Sequence, residues 1–390
     1  MDKPVESPTF ALVPASDPRV QFLEKEHRNF RIFMSRFQDP HGHPIRPTLI
    51  IRRTDVAENF RGADVAASFR DVLVACTVPL ARSLDIIYDN SRDRVRYGSF
   101  FWVYPWMLDR SYERIIAHTP AILALHDVNH LRGQSSPELA PTTLRRRDLD
   151  EPLLQELLRR WTARYETISP KWADVALFRS LNMANQACLL PAGADAVMHD
   201  YGRIIALWTA ACEILAHPGG DGQANLRKVF ELLRRIPWVD QKCGHRRYLI
   251  RHKKRTDREN LAGWLYWRIY CCRNDFLHGN PVAIENLLTP NSRRALDHHA
   301  ATLYRLALSS FLRLAWSEPL PASDDADIVA EYVARKMQFQ EPQVGCEEAL
   351  RLCRVSVAQQ RRARRKAIER RRRMAFSMNL GQNRTGHARP

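Results

Sequence analysis

From about residue 150 onward the chain repeats one pattern, apolar residues at three- and four-residue spacing broken by Pro and Gly. In YGRIIALWTAACEIL, residues Ile204, Ile205, Leu207, Trp208, Ala211, Cys212 and Leu215 fall on a single stripe, which is how a helix with one buried face is written. Pro218-Gly219-Gly220 stops it. The same texture predicts helices over LDEPLLQELLRRWTARYETI, where acids and Pro152 sit at a favoured N-terminus, over about 171–188, over 223–236 and over NLAGWLYWRIYCCRNDFLH. Gly279 is placed to be the C′ residue of that last helix. A sixth helix is expected over about 291–318, and two more after the linker EPLPASDDAD.

The first 145 residues read differently. One polar helix is expected around 20–36, PTLIIRR reads as a short strand, and GADVAASFRDVLVACTVPLARSL carries Val65, Phe69, Val72, Leu73 and Cys76 at helical spacing. DIIYD and YGSFFWVYPW, aromatic and β-branched, read as strands, and GQSSPELAPTTLRRRD as a turn-rich linker. The expected architecture is therefore α+β and predominantly α: a mixed α/β module over 1–145, a helical bundle over 150–318, and a linker with a basic helical tail over 319–390. No apolar run approaches the roughly 18 residues needed to span a bilayer, and MDKPVESPTF lacks a signal-peptide layout. No membrane association is expected, and a cytoplasmic location is the default.

Charge is concentrated at one end. Of the net +17, residues 351–390 supply +12, from thirteen Lys/Arg against the single acid Glu369. A second basic stretch, 237–260, has eight Lys/Arg and three acids. Its Arg246, Arg247, Arg251, Lys253, Lys254 and Arg255 would hold phosphates through salt-dependent, sequence-independent contacts, and Tyr248 would stack on a base. A flexible charged loop and a solvated arm have the same composition. The scattered eight cysteines contain no C-x-x-C pair, so neither a zinc ribbon nor a disulfide framework is expected. His126 and His130 have i, i+4 spacing but no third ligand, and no phosphate-binding, dinucleotide or nucleophile-elbow motif is present. No metal or cofactor is expected.

One chemical pairing remains. In CCRNDFLHGNPV, Arg273 precedes His278 by five residues. An imidazole can move the proton of an RNA 2′-hydroxyl while a guanidinium stabilises charge on the phosphate. Spacing alone carries little, because Arg36–His41, Arg247–His252, Arg293–His298 and Arg294–His299 share it. Five helical residues also turn through about 500°, leaving the two side chains about 140° apart. Context separates Arg273–His278 from the others: it closes an apolar helix, with Asn274 and Asp275 after the arginine and Gly279 after the histidine.

RNDFLHG resembles the R-N-x-x-x-H-G signature of the HEPN superfamily, and WTAACEIL, a Gly-rich break and LRKVFELLRRI are similar to its ApeA-like branch. The resemblance covers about 170–318, with a specific core of about ten residues. It implies an all-helical domain that dimerises so that Arg and His from two chains share one phosphate. Arg273 would then stabilise the phosphate, His278 would act as acid, base or orienting group, and Asn274 would be their polar companion, with Asp275 and Glu213 in support. Glu213 lies opposite the stripe of its own helix, so it is either solvated or faces the motif helix or a partner protomer. The activity implied is a metal-independent endoribonuclease, in prokaryotic stress or phage defence. The alternative is a catalytically silent module that binds RNA or a protein partner through its basic surfaces. The expected partners are RNA and a second copy of the chain, and the N-terminal module is open to a protein partner or a sensed ligand.

Overall fold

The computed structural model of the chain describes residues 1–38, 42–88, 106–118, 123–130, 134–135, 144–190, 197–252, 255–289, 294–322 and 325–354. Among these the protein is an α+β fold dominated by helices. The N-terminal part contains β1 (Val5–Glu6), β2 (Phe10–Val13), α1 (Pro18–Glu26), α2 (Arg28–Met34), β3 (Phe37–Gln38), β4 (Leu49–Arg52), α3 (Ala63–Tyr88), β5 (Trp106–Leu108), β6 (Arg114–His118), β7 (Leu123–Asp127) and β8 (Gln134–Ser135). There follow α4 (Glu151–Glu166), α5 (Trp172–Leu189), α6 (Met198–Leu215), α7 (Leu226–Arg234), α8 (Gln241–Gly244), β9 (Tyr248–His252), β10 (Arg255–Glu259), α9 (Leu261–Leu277), α10 (Leu296–Leu312) and α11 (Ala326–Leu352). The described strands form small sheets, in orders β1-β2-β4 and β5-β6-β7, both antiparallel, with a parallel β3-β8 pair and the antiparallel β9-β10 hairpin.

β2 shows how the small sheet joins the helices. Successive strand side chains point to opposite faces, and here both faces are buried. Phe10 and Leu12 enter the large helical core, where the Phe10 ring meets Trp161 edge-on at 5.3 Å. Ala11 and Val13 face a separate small core with Val20, Phe30, Phe33, Met34 and Ile115. The large core runs from Val5 to Cys353 and takes residues from α3 through α11. α3 packs against α4, α5, α10 and α11, so packing crosses both boundaries expected near residues 145 and 319.

Several local expectations need correction. DIIY, residues 85–88, ends α3 instead of forming a strand: Ile86 is fully buried three residues after the buried Ser83, and continued helical packing outweighs a β-branched run of two. The polar helix expected over 20–36 is divided at His27 into α1 and α2. The basic loop is a hairpin, because YLIRH alternates: Ile250 is buried whereas Leu249 and Arg251 are exposed. His126 lies in a strand and His130 in a 3-10 turn, so they do not share a helix face. The expected strand at 97–106 lies outside the described residues except Trp106, and so does the basic tail from residue 355. Among the described residues no helix is long and apolar enough to cross a membrane.

A chain of buried polar groups ties the helices together. Arg305, fully buried on α10, donates from Nε to Asp150 Oδ2 at 2.7 Å and from Nη1 to Ser309 Oγ at 2.7 Å and to Gln343 Oε1. Gln343 Nε2 donates to Glu347 Oε1 at 2.7 Å, and the Glu347 carboxylate accepts the Val239 and Asp240 amides at 2.9 and 2.7 Å. Asp150 also caps α4, accepting from the Leu153 amide at 3.3 Å, and its own amide donates to the Cys76 carbonyl of α3 at 2.9 Å. Removing one member of a buried ion pair strands the other charge. Arg305→Met should therefore destabilise the fold by about 3–5 kcal/mol, read as a shift in the urea midpoint.

His299 is a second buried polar group, with neither ring nitrogen hydrogen-bonded to a described residue. Burial, reinforced by His298 and Arg294, pushes its pKa down from 6.5 to about 3. Between those pH values only the unfolded chain takes up the proton, so stability is complete above pH 6.5 and falls as pH drops toward 3. The loss approaches about 1.4 kcal/mol per pH unit. His299→Leu should remove that component of the acid slope in denaturant titrations at pH 4, 5, 6 and 7.

Candidate functional site

α9 carries the motif and is fixed at both ends. At its start the Asn260 side chain accepts from the Gly263 amide at 2.8 Å and donates to the Leu233 carbonyl at 2.9 Å. The neighbouring Glu259, fully buried, is gripped by Arg234 of α7. Ala262, Leu265, Tyr266, Ile269 and Cys272 form the buried face. Arg273 follows Tyr266 by seven residues and Ile269 by four, which puts it on that same face. Phe276, three residues on, lies against α6 where Gly202 has no side chain; a Cβ there would come within 2.5 Å of the ring.

This placement explains the surroundings of Arg273. Its side chain is half-buried and donates from Nη1 to Asn274 Oδ1 at 2.9 Å. Glu213 of α6 is the neighbouring anion. Burial raises the Glu213 pKa, and the charge of Arg273 works against that shift. The buried Tyr266 hydroxyl has no hydrogen-bond partner among the described residues, and burial beside Cys212, Glu213 and Tyr270 drives its pKa up. The Glu213 carboxylate is half-buried, with Arg273 of the motif helix as a charged neighbour.

His278 occupies a different environment. It is the C-cap of α9 and is exposed, and its side chain makes no hydrogen bond or ion pair with a described residue. Its amide donates to the Asn274 carbonyl at 2.9 Å. Gly279 follows at φ +70°, its amide reaching the Phe276 carbonyl at 3.4 Å while the Asn280 amide donates to the Asp275 carbonyl at 2.9 Å. This is the paired 6→1 and 5→2 bonding of a Schellman turn. The Asp275 side chain reinforces it, accepting from Asn280 Nδ2 at 3.1 Å. Asp275 and Gly279 thus have a structural task in ending the helix.

The basic hairpin leads into the other end of α9. Its root lies about 18 Å along the helix axis from Arg273 and about 25 Å from His278, at 1.5 Å per residue. Tyr248 packs against Trp264 at 6.0 Å between centroids, with the Arg247 and Arg354 guanidiniums over its ring at 5.3 and 5.0 Å. That ring is already stacked by protein groups. Arg246 is exposed and donates to the Arg258 carbonyl at 2.9 Å, and Arg251 is exposed. Arg255 begins β10, and Lys253 and Lys254 lie outside the described residues.

Other chemistry is weakly supported around the motif. Burial pushes the Cys271 and Cys272 thiols up to about 11, which keeps them protonated and poorly nucleophilic at neutral pH. Among the described residues no three His, Cys, Asp or Glu side chains are grouped to hold a metal ion. Sequence reasoning missed the Arg305 network and an open cleft beside it. The available signal was a lone arginine within the apolar run LYRLALSSF. Comparison with family models, curated proteins and solved structures gave no match.

Gly279 offers a clean test of how the motif end is built. No atom lies within 4 Å of where its Cβ would be, so only the positive φ opposes a side chain. Gly279→Ala should destabilise by about 1–2 kcal/mol, with faster amide exchange confined to the last turn of α9.

Proposed function

We propose that residues 150–318 form a HEPN-like domain and that the protein is an RNA endoribonuclease acting as a homodimer. The observation that carries this reading is the pairing of an exposed, unengaged His278 with a half-buried Arg273 at one end of α9. On one helix the two diverge by about 140°, so one helix does not easily present both to a single phosphate, and a second copy would supply the missing group. In such a site an imidazole removes the proton of a 2′-hydroxyl, which attacks the adjacent phosphorus. The bond to the 5′-oxygen breaks as that oxygen gains a proton, leaving a 2′,3′-cyclic phosphate and a 5′-hydroxyl. The guanidinium stabilises charge on the phosphoryl oxygens, and this route can proceed without a metal ion.

A second reading has its own support. Asp275 and Gly279 serve the helix end, Arg273 has Glu213 as a neighbour, and Arg246 and Arg251 are exposed on the hairpin. A catalytically silent module that binds RNA through its basic surfaces needs no more than this.

The two readings separate in one assay. Purified full-length protein incubated with single-stranded RNA in EDTA should yield cyclic-phosphate ends. Arg273→Ala and His278→Ala should each slow cleavage by at least about 100-fold with dimer mass and circular dichroism unchanged. Full activity in both variants rules out the catalytic reading. No cleavage by the parent protein, with RNA retention that weakens steeply with salt, establishes the silent one.

A further inference from the structure

An open cleft of about 580 Å³ lies between the end of α10, the segment from α7 to α8, and α11. That is within the usual size of a small-molecule site, and no residue of the Arg273–His278 motif or of the basic hairpin lines it.

Three aromatic rings line the cleft: Trp238, Trp316 and Phe339. Trp316 is held in place, because Nε1 donates to Tyr332 Oη at 3.1 Å and its ring meets Phe339 edge-on at 5.5 Å. Trp238 fits because residue 244 is glycine; a Cβ there would lie 2.7 Å from the indole. The Trp238 Nε1 atom is itself buried and has no hydrogen-bond partner among the described residues, so Trp238 offers the cleft an apolar ring surface.

The charges in the lining are one-sided. Arg234, Arg305 and Lys336 contribute, and among the described residues no carboxylate does. Arg234 is neutralised by Glu259 and Arg305 by Asp150. Lys336 is half-buried and has no ion pair or hydrogen bond with a described residue. Taking an ammonium partly out of water without a counter-charge is unfavourable, and an anionic ligand would offset that.

We propose that this cleft binds a small aromatic acid, with its flat ring against the tryptophan and phenylalanine side chains and its carboxylate or phosphate on Lys336. This site is independent of the ribonuclease reading and stands or falls separately from it.

Calorimetric titration of the full-length protein tests the proposal with four probes: 2-naphthoate, 2-naphthyl phosphate, the neutral 2-naphthamide, and acetate. At least one naphthyl anion should bind saturably, about tenfold or more tighter than naphthamide or acetate, as expected for one charge-assisted hydrogen bond. The tighter of the two anions identifies carboxylate or phosphate as the preferred group. Lys336→Glu, a half-exposed site where folding is easily verified by circular dichroism, should weaken the anions about tenfold or more and leave naphthamide within about twofold. Phe339→Ala should weaken all the naphthyl probes, and Lys25→Glu on the exposed face of α1 should leave their binding unchanged. The proposal is overturned if neither anion binds, if the amide binds as tightly, if Lys336→Glu retains full affinity, or if Lys25→Glu removes binding.

Discussion

The Asp150–Arg305 ion pair is the interaction on which the arrangement of helices depends. Two charges in a dry interior are unfavourable unless each finds a partner and the remaining polar atoms are hydrogen-bonded. Here they are bonded outward in both directions, to the α4 cap and the α3 carbonyl on one side and through Gln343 and Glu347 to the 239–240 backbone on the other. Apolar contacts alone would let α11 slide along α10 at modest loss. A slipped register would leave Arg305 or Glu347 buried without its partner, so the network selects one register.

The same network shapes the cleft beside it. Arg305 and Gln343 belong to the lining, and the Glu347 carboxylate fixes the backbone that presents Trp238 and Val239. Fold and candidate ligand site are thus coupled through one set of hydrogen bonds. α9 acts as a spacer. Its start is fastened by Asn260 and the Arg234–Glu259 pair, and its end by the Schellman turn, so the basic hairpin and the Arg273–His278 motif are held at opposite ends of one rigid element.

Much of this was legible in the residues. The helical stripes of α4, α5, α6, α7 and α9 follow from three- and four-residue spacing, and Gly279 was recognisable as a C′ residue because only glycine adopts positive φ without strain. DIIY was misread because a β-branched run carries a weak local preference that the packing of Ile86 overrides. The hairpin was hidden by its charges: with one face solvated, only Ile250 and the half-buried Tyr248 mark the alternation. Glu213 illustrates the same limit, since its position opposite the stripe suggested solvent until α9 was placed beside it.

By itself, then, the sequence determined the helical stripes of α4, α5, α6, α7 and α9, the glycine that ends α9, and which residue types are available for phosphate chemistry, because those properties depend on neighbours within one or two turns. Only the tertiary structure decided that β2 is buried on both faces, that Arg305 finds Asp150 across 155 positions, and that Glu213 neighbours Arg273 while His278 faces solvent. Those outcomes depend on which helix lies against which. That choice is made by the whole core at once, through volume to be filled and buried charges to be paired, and no local pattern encodes it.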